Sequence, residues 1–518
     1  MKKYLILLAL TVLAACAKEA ADDNRPADGH YTMTVQASKV GTKALALDGS
    51  TLNATWTQGD VVKVYKGDDE IGELTAQSTG TPTTLRGELT VAPSANDVLT
   101  LKFLSPSYAS QNGTLAYIES HCDYATATVT VKSVAGGNVT INGSSATFIN
   151  QQAIVKFTLL DKVDGTTHIN ATLLTVGNGT NTYTVTPASA TNVLYVALPG
   201  FGNKTVTLNA TDGNYNYTYE KSGVTFTNGQ YYAITVKASA LQGSGTEGDP
   251  YLISSATDWN YLADKVGSGT NYAGKFFRLT ANIDITTMVG DSESNSFRGT
   301  FDGDGHTLTI NYNTTSDYTA PFRYIQGATF KNLKITGSIT TTMNLAAGIA
   351  GLNTNAEATF EQCATDVTIN SSSTTEVGWG SYDYHGGFLA RSNSANVNLT
   401  DCVCGGSVNG SSSTKSKGAG FVGVAESCTV SATRCLSTTS YTNVSSWNSL
   451  CHQAGATRTI NVFYYVNAND VGEDVGTQIT TLQLADGTIT TALQAGRSTT
   501  VWVQYAPINQ PMLKQFAK

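Results

Sequence analysis

The sequence predicts an all-β protein: two β-sandwich domains followed by a parallel β-helix, a solenoid of stacked coils. Three observations carry this. First, Gly348-Ile349-Ala350-Gly351, Gly387-Phe388-Leu389-Ala390 and Gly420-Phe421-Val422-Gly423 each precede a cysteine by one and the same offset. Gly348 leads to Cys363, Gly387 to Cys402 and Gly420 to Cys435, although the units themselves start at unequal intervals. A repeat that keeps its inner spacing while its length varies has rigid strands and elastic loops. Units too small to bury their own apolar face must stack. Second, residues 30–240 read as short strands with turn signals at regular intervals, the pattern of sandwiches. Third, only 14% of residues are charged and only 10 are proline, while tyrosine reaches 25. That composition suits twisted sheets with hydroxyl-rich faces and not helical bundles.

Taken in order, the chain opens with Lys2, Lys3 and an apolar run from Tyr4 to Ala15. The run is shorter than the ~20 residues a membrane-spanning helix needs, so residues 1–15 read as a signal peptide. Leu13-Ala14-Ala15-Cys16 resembles the bacterial lipobox, which implies that Cys16 is acylated and becomes the mature N-terminus. An ordinary signal peptide with a cysteine there by chance is the alternative. Residues 16–29 read as a flexible charged tether. Acidic residues just after such a cysteine resemble the surface-export signals of Bacteroidota lipoproteins. The expected location is therefore the outer membrane, lipid-anchored and facing outward. The net charge of −8 and the lack of a basic stretch argue against a nucleic-acid partner.

Residues 30–135 and 136–240 are expected to form sandwich one and sandwich two. Asp60-Val61-Val62-Lys63-Val64-Tyr65 and Ala153-Ile154-Val155-Lys156-Phe157-Thr158-Leu159 read as strands. Val206, Leu208, Ala210, then Asp212-Gly213, then Tyr215, Tyr217, Tyr219 reads as a hairpin, with a turn pair that accepts φ > 0 at both central positions. The stretches Ala54–Tyr65, Ala146–Phe157 and Asn228–Val236 resemble the fimbrillin-like proteins of Bacteroidota, over about 40% of the chain. The resemblance implies transthyretin-like sandwiches, lipoprotein export, and fimbria assembly or adhesion. Many such shaft subunits are cut after an N-terminal arginine. Here Arg25 precedes Pro26, a poor context, and Arg86 lies in a strand region, which leaves Lys39 or Lys43 for a lysine-specific protease.

Residues 247–465 are expected to form the β-helix, with residues 466–518 as a C-terminal cap segment. A short helix starts it: Ser255 can cap, Asp258 lies three residues on, Trp259, Leu262 and Val266 share one face, and Gly267 ends it. Such a helix covers the open end of the first coil. Gly305-His306-Thr307-Leu308 and Gly327-Ala328-Thr329-Phe330 are separated by a length that suits one coil. The glycine-aromatic units resemble GLUG repeats, and the segment resembles the right-handed β-helices of Bacteroidota surface proteins. GLUG repeats occur in adhesins and in some surface peptidases, but no His-Glu-x-x-His is present to carry the peptidase chemistry.

With Cys16 acylated, seven cysteines remain. Cys363, Cys402 and Cys435 occupy one place in successive units, and Leu333 fits it one unit earlier. A place shared by leucine and cysteine is an interior apolar one, which favours an inward ladder of thiols over disulfides. The six histidines show no zinc spacing, and Asp302-Gly303-Asp304 offers too few oxygens for calcium and reads as a tight turn. No metal or cofactor is expected. Asp302, Asp304, Asp366, Asp383, Arg391 and Asp401 share no register that would make a catalytic dyad. No catalytic residue is assigned. The longest insertion carries Trp379, Tyr382, Asp383, Tyr384 and His385, where rings beside polar groups suit a sugar-binding loop; packing on the solenoid wall is the plainer reading. The expected function is a non-catalytic surface adhesin for a host glycan, matrix protein or other bacterium. The alternatives are a structural fimbrial tip or anchor subunit joined to others by donor-strand exchange, and a carbohydrate-active β-helix enzyme.

Overall fold

The structure is a computed structural model that describes residues 29–40, 47–48, 51–52, 55–104, 107–163, 165–373, 383–467 and 475–517. The signal peptide, Cys16, the tether up to residue 28, Arg25, Lys43, Trp379 and Tyr382 lie outside the described residues. The chain is all-β with a few short helices and divides into two compact units between Ser239 and Ala240.

In the first unit, Tyr31–Val40 pairs antiparallel with Thr83–Leu89 on one edge. On the other edge it pairs in parallel with Asn138–Ile141 and then Ser145–Asn150. These pairings close the first sheet into a ring through 125–135, 98–103, 61–66 and 69–76. Alternation drives it: Met33, Val35 and Ala37 point inward, and Trp56 meets Phe148 and Phe103 edge-on at 5.0 and 5.4 Å. The boundary expected at 135/136 is therefore displaced to about 150, because 138–150 supplies the parallel partners of the first strand. Lys39 is no protease site. Its side chain is buried, 3.3 Å from Asp123 Oδ2 and over the Phe103 and Trp56 rings.

A second pair of sheets follows. Ala153–Asp161 runs between Val193–Leu198 and Tyr231–Ala238, and a five-stranded sheet contains the anticipated hairpin Phe201–Thr211 with Asn216–Phe226. The hairpin turn is longer than the Asp-Gly pair alone, because Thr211 pairs with Asn216. Asp212 Oδ1 accepts from Asn214 N and Tyr215 N, and only Gly213 takes a positive φ. The last strand of this sheet, Ser110–Gln111, is an excursion from the first domain. It continues into a helix, Leu115–His121, capped by Thr114, whose Ile118 packs with Cys122 against Ile154 and Ala197.

The second unit is a stack of parallel coils. Leu308, Ile335, Thr365, Cys404, Ser437 and Tyr465 stand in register on successive coils. The coils are unequal in length. The two longest, Thr365 to Cys404 and Cys404 to Ser437, match the two steps of the glycine repeat. Gly305 and Gly327 mark different corners and not one coil, since Phe301 pairs with Phe330 and Leu308 with Ile335. Asp302-Gly303-Asp304 is a turn, with Asp304 N donating to Asp302 Oδ1. Each coil bends at a left-handed residue, Asn332, Gln362, Asp401, Arg434 or Val462, with φ between 50° and 59°. The next residue, Leu333, Cys363, Cys402, Cys435 or Phe463, turns inward and is buried, and the cysteines are free thiols. Burial pushes the Cys363 thiol up to about 12.

The helix Ala256–Gly267 is capped by Ser255, whose Oγ accepts from Asp258 N at 3.2 Å. It lays Trp259 against Phe301 and Phe322 at 5.9 and 5.2 Å. The C-terminal segment behaves differently from an end cap. Thr477–Gln478 pairs with the last coil, and the chain then runs back along the flank. Ile489, Leu493, Val501, Trp502 and Leu513 cover Ala364, Val403, Leu436 and Tyr464, which belong to successive coils. Asp401, buried, receives Trp502 Nε1 at 3.1 Å and pairs with Arg434 and Arg497.

Candidate functional site

The repeat builds a corner on the outside of the stack. A Cβ at Gly348, Gly387 or Gly420 would overlap the carbonyl of Gly387, Gly420 or Ser449 in the next coil, so these glycines let the backbones touch. The following residue, Ile349, Phe388 or Phe421, points into the core. Beyond it the strands Ala350–Thr354, Leu389–Asn393 and Val422–Glu426 pair in parallel, flanked by Phe322–Ile325 and Cys451–Ala454. They meet Leu345–Ala347 and Asp383–Gly386 at the corner, where Leu345, Ala347, Ala390 and Val424 form a small apolar cluster against Tyr318 and Tyr384.

Polar groups rim this cluster. Arg391 donates to Tyr318 Oη at 3.1 Å and to Glu426 Oε2 at 2.7 Å. Burial acts against its charge, but Glu426 and Tyr318 outweigh that and hold it raised. The Tyr318 and Tyr324 rings meet edge-on at 5.5 Å, Tyr384 meets His452 at 5.8 Å, and Lys417 Nζ lies 5.3 Å from the Tyr384 ring. Tyr318, Tyr324, Tyr384 and Arg391 are half-buried. The corner thus offers ring faces, hydroxyls and one fixed ion pair along several coils, which suits stacking and hydrogen bonding to a polar partner.

The proposed loop residues separate. Tyr384 lies at the corner. Asp383 is buried in a strand, where Ser411 and Ser416 donate to it at 3.1 and 3.3 Å, and burial raises its carboxyl against those hydroxyls. His385 points inward, is fully buried, and falls to about 4 through desolvation. Neither of these two is available to a ligand, because strand alternation turns their side chains into the stack. Sequence reasoning missed Tyr318, Tyr324 and Glu426. No repeat-based signal marks them, since Arg391 and Glu426 stand at different offsets from their repeat glycines and Arg391 pairs with Val424. The candidate acids also disperse: Asp302 accepts from Asn332, Asp401 pairs with arginines on the other flank, and Asp366 stands on an exposed face.

No protein-family model matches the chain, and no curated protein does. Among solved structures the chain is similar to a cell adhesion protein, described as putative, from Bacteroides uniformis (12% identity, 41% of this chain and 94% of that one, TM-score 0.24). It is similar to a fimbrial assembly protein from Parabacteroides distasonis (12%, 42% and 93%, TM-score 0.24). It is also similar to a tip fimbrial protein from Porphyromonas gingivalis (10%, 40% and 95%, TM-score 0.21). At these scores the likeness carries no argument about fold or role.

Proposed function

We propose that the chain is a cell-surface lipoprotein adhesin, anchored in the outer membrane through Cys16. In this reading fimbrillin-like domains form its base, and a right-handed, GLUG-like β-helix presents the corner to a host glycan or matrix protein. The observation that carries the reading is the half-buried tyrosine and arginine rim over Leu345, Ala347, Ala390 and Val424. Binding is read as non-catalytic, supported by the engagement of Asp302, Asp383 and Asp401 in separate internal contacts. The test is binding of the full chain to arrays of glycans and matrix proteins, beside Tyr318→Ala and Tyr384→Ala. Aromatic anchors at a binding surface are worth about tenfold or more in affinity. Saturable binding weakened by that much supports the reading, and binding indifferent to both changes refutes it.

A structural fimbrial subunit is the second reading. Its support is the first strand, which bridges two edges of one sheet, so that its removal would leave a slot of strand shape. A chain lacking residues 29–40 that captures a strand from another subunit would favour it.

A further inference from the structure

A cleft of ≈ 680 Å³ lies on the flank opposite in chemistry to the corner, between the coils and the returning C-terminal segment. Pockets for small ligands span about 300–1,000 Å³. Its floor is the outward column Asp366, Gly405 and Thr438 from three successive coils, with Lys334 beside it. Its wall is the loop Tyr505–Met512, where Tyr505 and Ile508 are 56% and 58% exposed.

Three features define what fits. A Cβ at Gly405 would stand 3.3 Å from Thr365 O, 3.5 Å from Thr438 Oγ1 and 4.0 Å from Asp366 Oδ1, so the glycine keeps the floor low between two polar side chains. The strand Ala364–Ser371 is already paired on both edges, to Lys334–Thr341 and Val403–Ala419, which leaves no backbone edge for a peptide strand to join. One lysine and one aspartate balance each other, which disfavours a polyanion. The polar side chains Asp366, Thr438 and Lys334 remain, with Tyr505, Ile508 and Met512 lining the same cleft, and the coils step by ~4.8 Å along the stack, the spacing of neighbouring strands.

We propose that this cleft is a saccharide site, taking a short, uncharged oligosaccharide laid along the stack. Its hydroxyls bond to Asp366, Thr438 and Lys334, and one ring face rests on Tyr505. The site is separate from the tyrosine corner and does not depend on it.

The experiment uses the full chain on a printed array of neutral hexose and N-acetylhexosamine oligosaccharides, with hits titrated by isothermal calorimetry. Asp366→Asn, Tyr505→Ala and Tyr384→Ala are run in parallel. Asp366 and Tyr505 are exposed, so their variants keep the fold, and unchanged thermal melts check this. The expected result is binding of at least one neutral oligosaccharide, weakened tenfold or more by Asp366→Asn and by Tyr505→Ala and unchanged by Tyr384→Ala. Binding that only Tyr384→Ala weakens overturns the cleft while keeping the corner. No neutral oligosaccharide bound, or binding indifferent to both cleft variants, overturns the proposal.

Discussion

Gly423→Ala tests the close stacking of the coils. Gly423 has no positive φ, so an alanine there meets no backbone strain and the cost is steric alone. Its Cβ would lie 2.5 Å from Ala390 O and 3.2 Å from the carbonyl carbons of both His385 and Tyr384. All three neighbours are backbone, held in parallel ladders by Leu389–Asn393 and Asp383–Gly386, so no side chain can swing aside. Overpacking of this kind costs about 1–3 kcal/mol, and the rigidity of the surroundings places it at the upper end. A loss of about 3 kcal/mol corresponds to a more than hundredfold change in an opening equilibrium. Hydrogen exchange of the full chain, read by mass spectrometry over 383–393 and 416–426, should therefore accelerate by about that factor. Gly248→Ala, with nothing within 4 Å of the added Cβ, is the control and should exchange like the parent chain. If Gly423→Ala also exchanges like the parent, the backbone around Gly423 yields to a Cβ and the steric reasoning for this position fails.

The thiol ladder and His385 give two further predictions. Buried, with the Cys363 thiol pushed up to about 12, Cys363, Cys402 and Cys435 should resist a thiol reagent such as Ellman's at pH 8 until the chain is unfolded; labelling of the native chain would refute the inward ladder. His385 titrates near 4 in the folded chain against an ordinary 6.5, so its contribution is present above pH 6.5 and is lost as pH falls toward 4. At 1.36 kcal/mol per unit this is about 3 kcal/mol, and His385→Phe should flatten the acid limb of denaturant-midpoint measurements between pH 6.5 and 4.

Signals confined to a few neighbouring residues were legible in the sequence. The Ser255 cap with its buried Trp259 face and the coil steps set by Cys363, Cys402 and Cys435 appear where their residues place them, and the hairpin around Asp212-Gly213 forms with a longer turn. Non-local pairing was not legible. Nothing in Asn138–Ile141 or Ser145–Asn150 marks them as parallel partners of Tyr31–Val40, at the far end of the domain, so the boundary was misplaced. The helix Leu115–His121 is too short for its periodicity to stand out. Tyr384 lies at the corner, while the sequence reads Asp383 and His385 as loop residues and the structure holds them in a strand. Their burial follows from strand alternation that continues right up to the insertion. Tyr318 lies 73 residues from its partner Arg391, which no spacing rule reveals.

The returning C-terminal segment imposes an order in time. Gln515 donates to Gln362 O and reaches Asn332, a neighbour 183 residues earlier in the chain. Coils can settle onto one another as the polypeptide emerges, each on the one before. Yet Ala364, Val403 and Leu436 face solvent until residues 489–513 arrive. For that interval the half-made stack carries an apolar seam on its flank. Until the last segment folds back, that seam is open to any apolar surface it meets, including the same seam on another half-made copy.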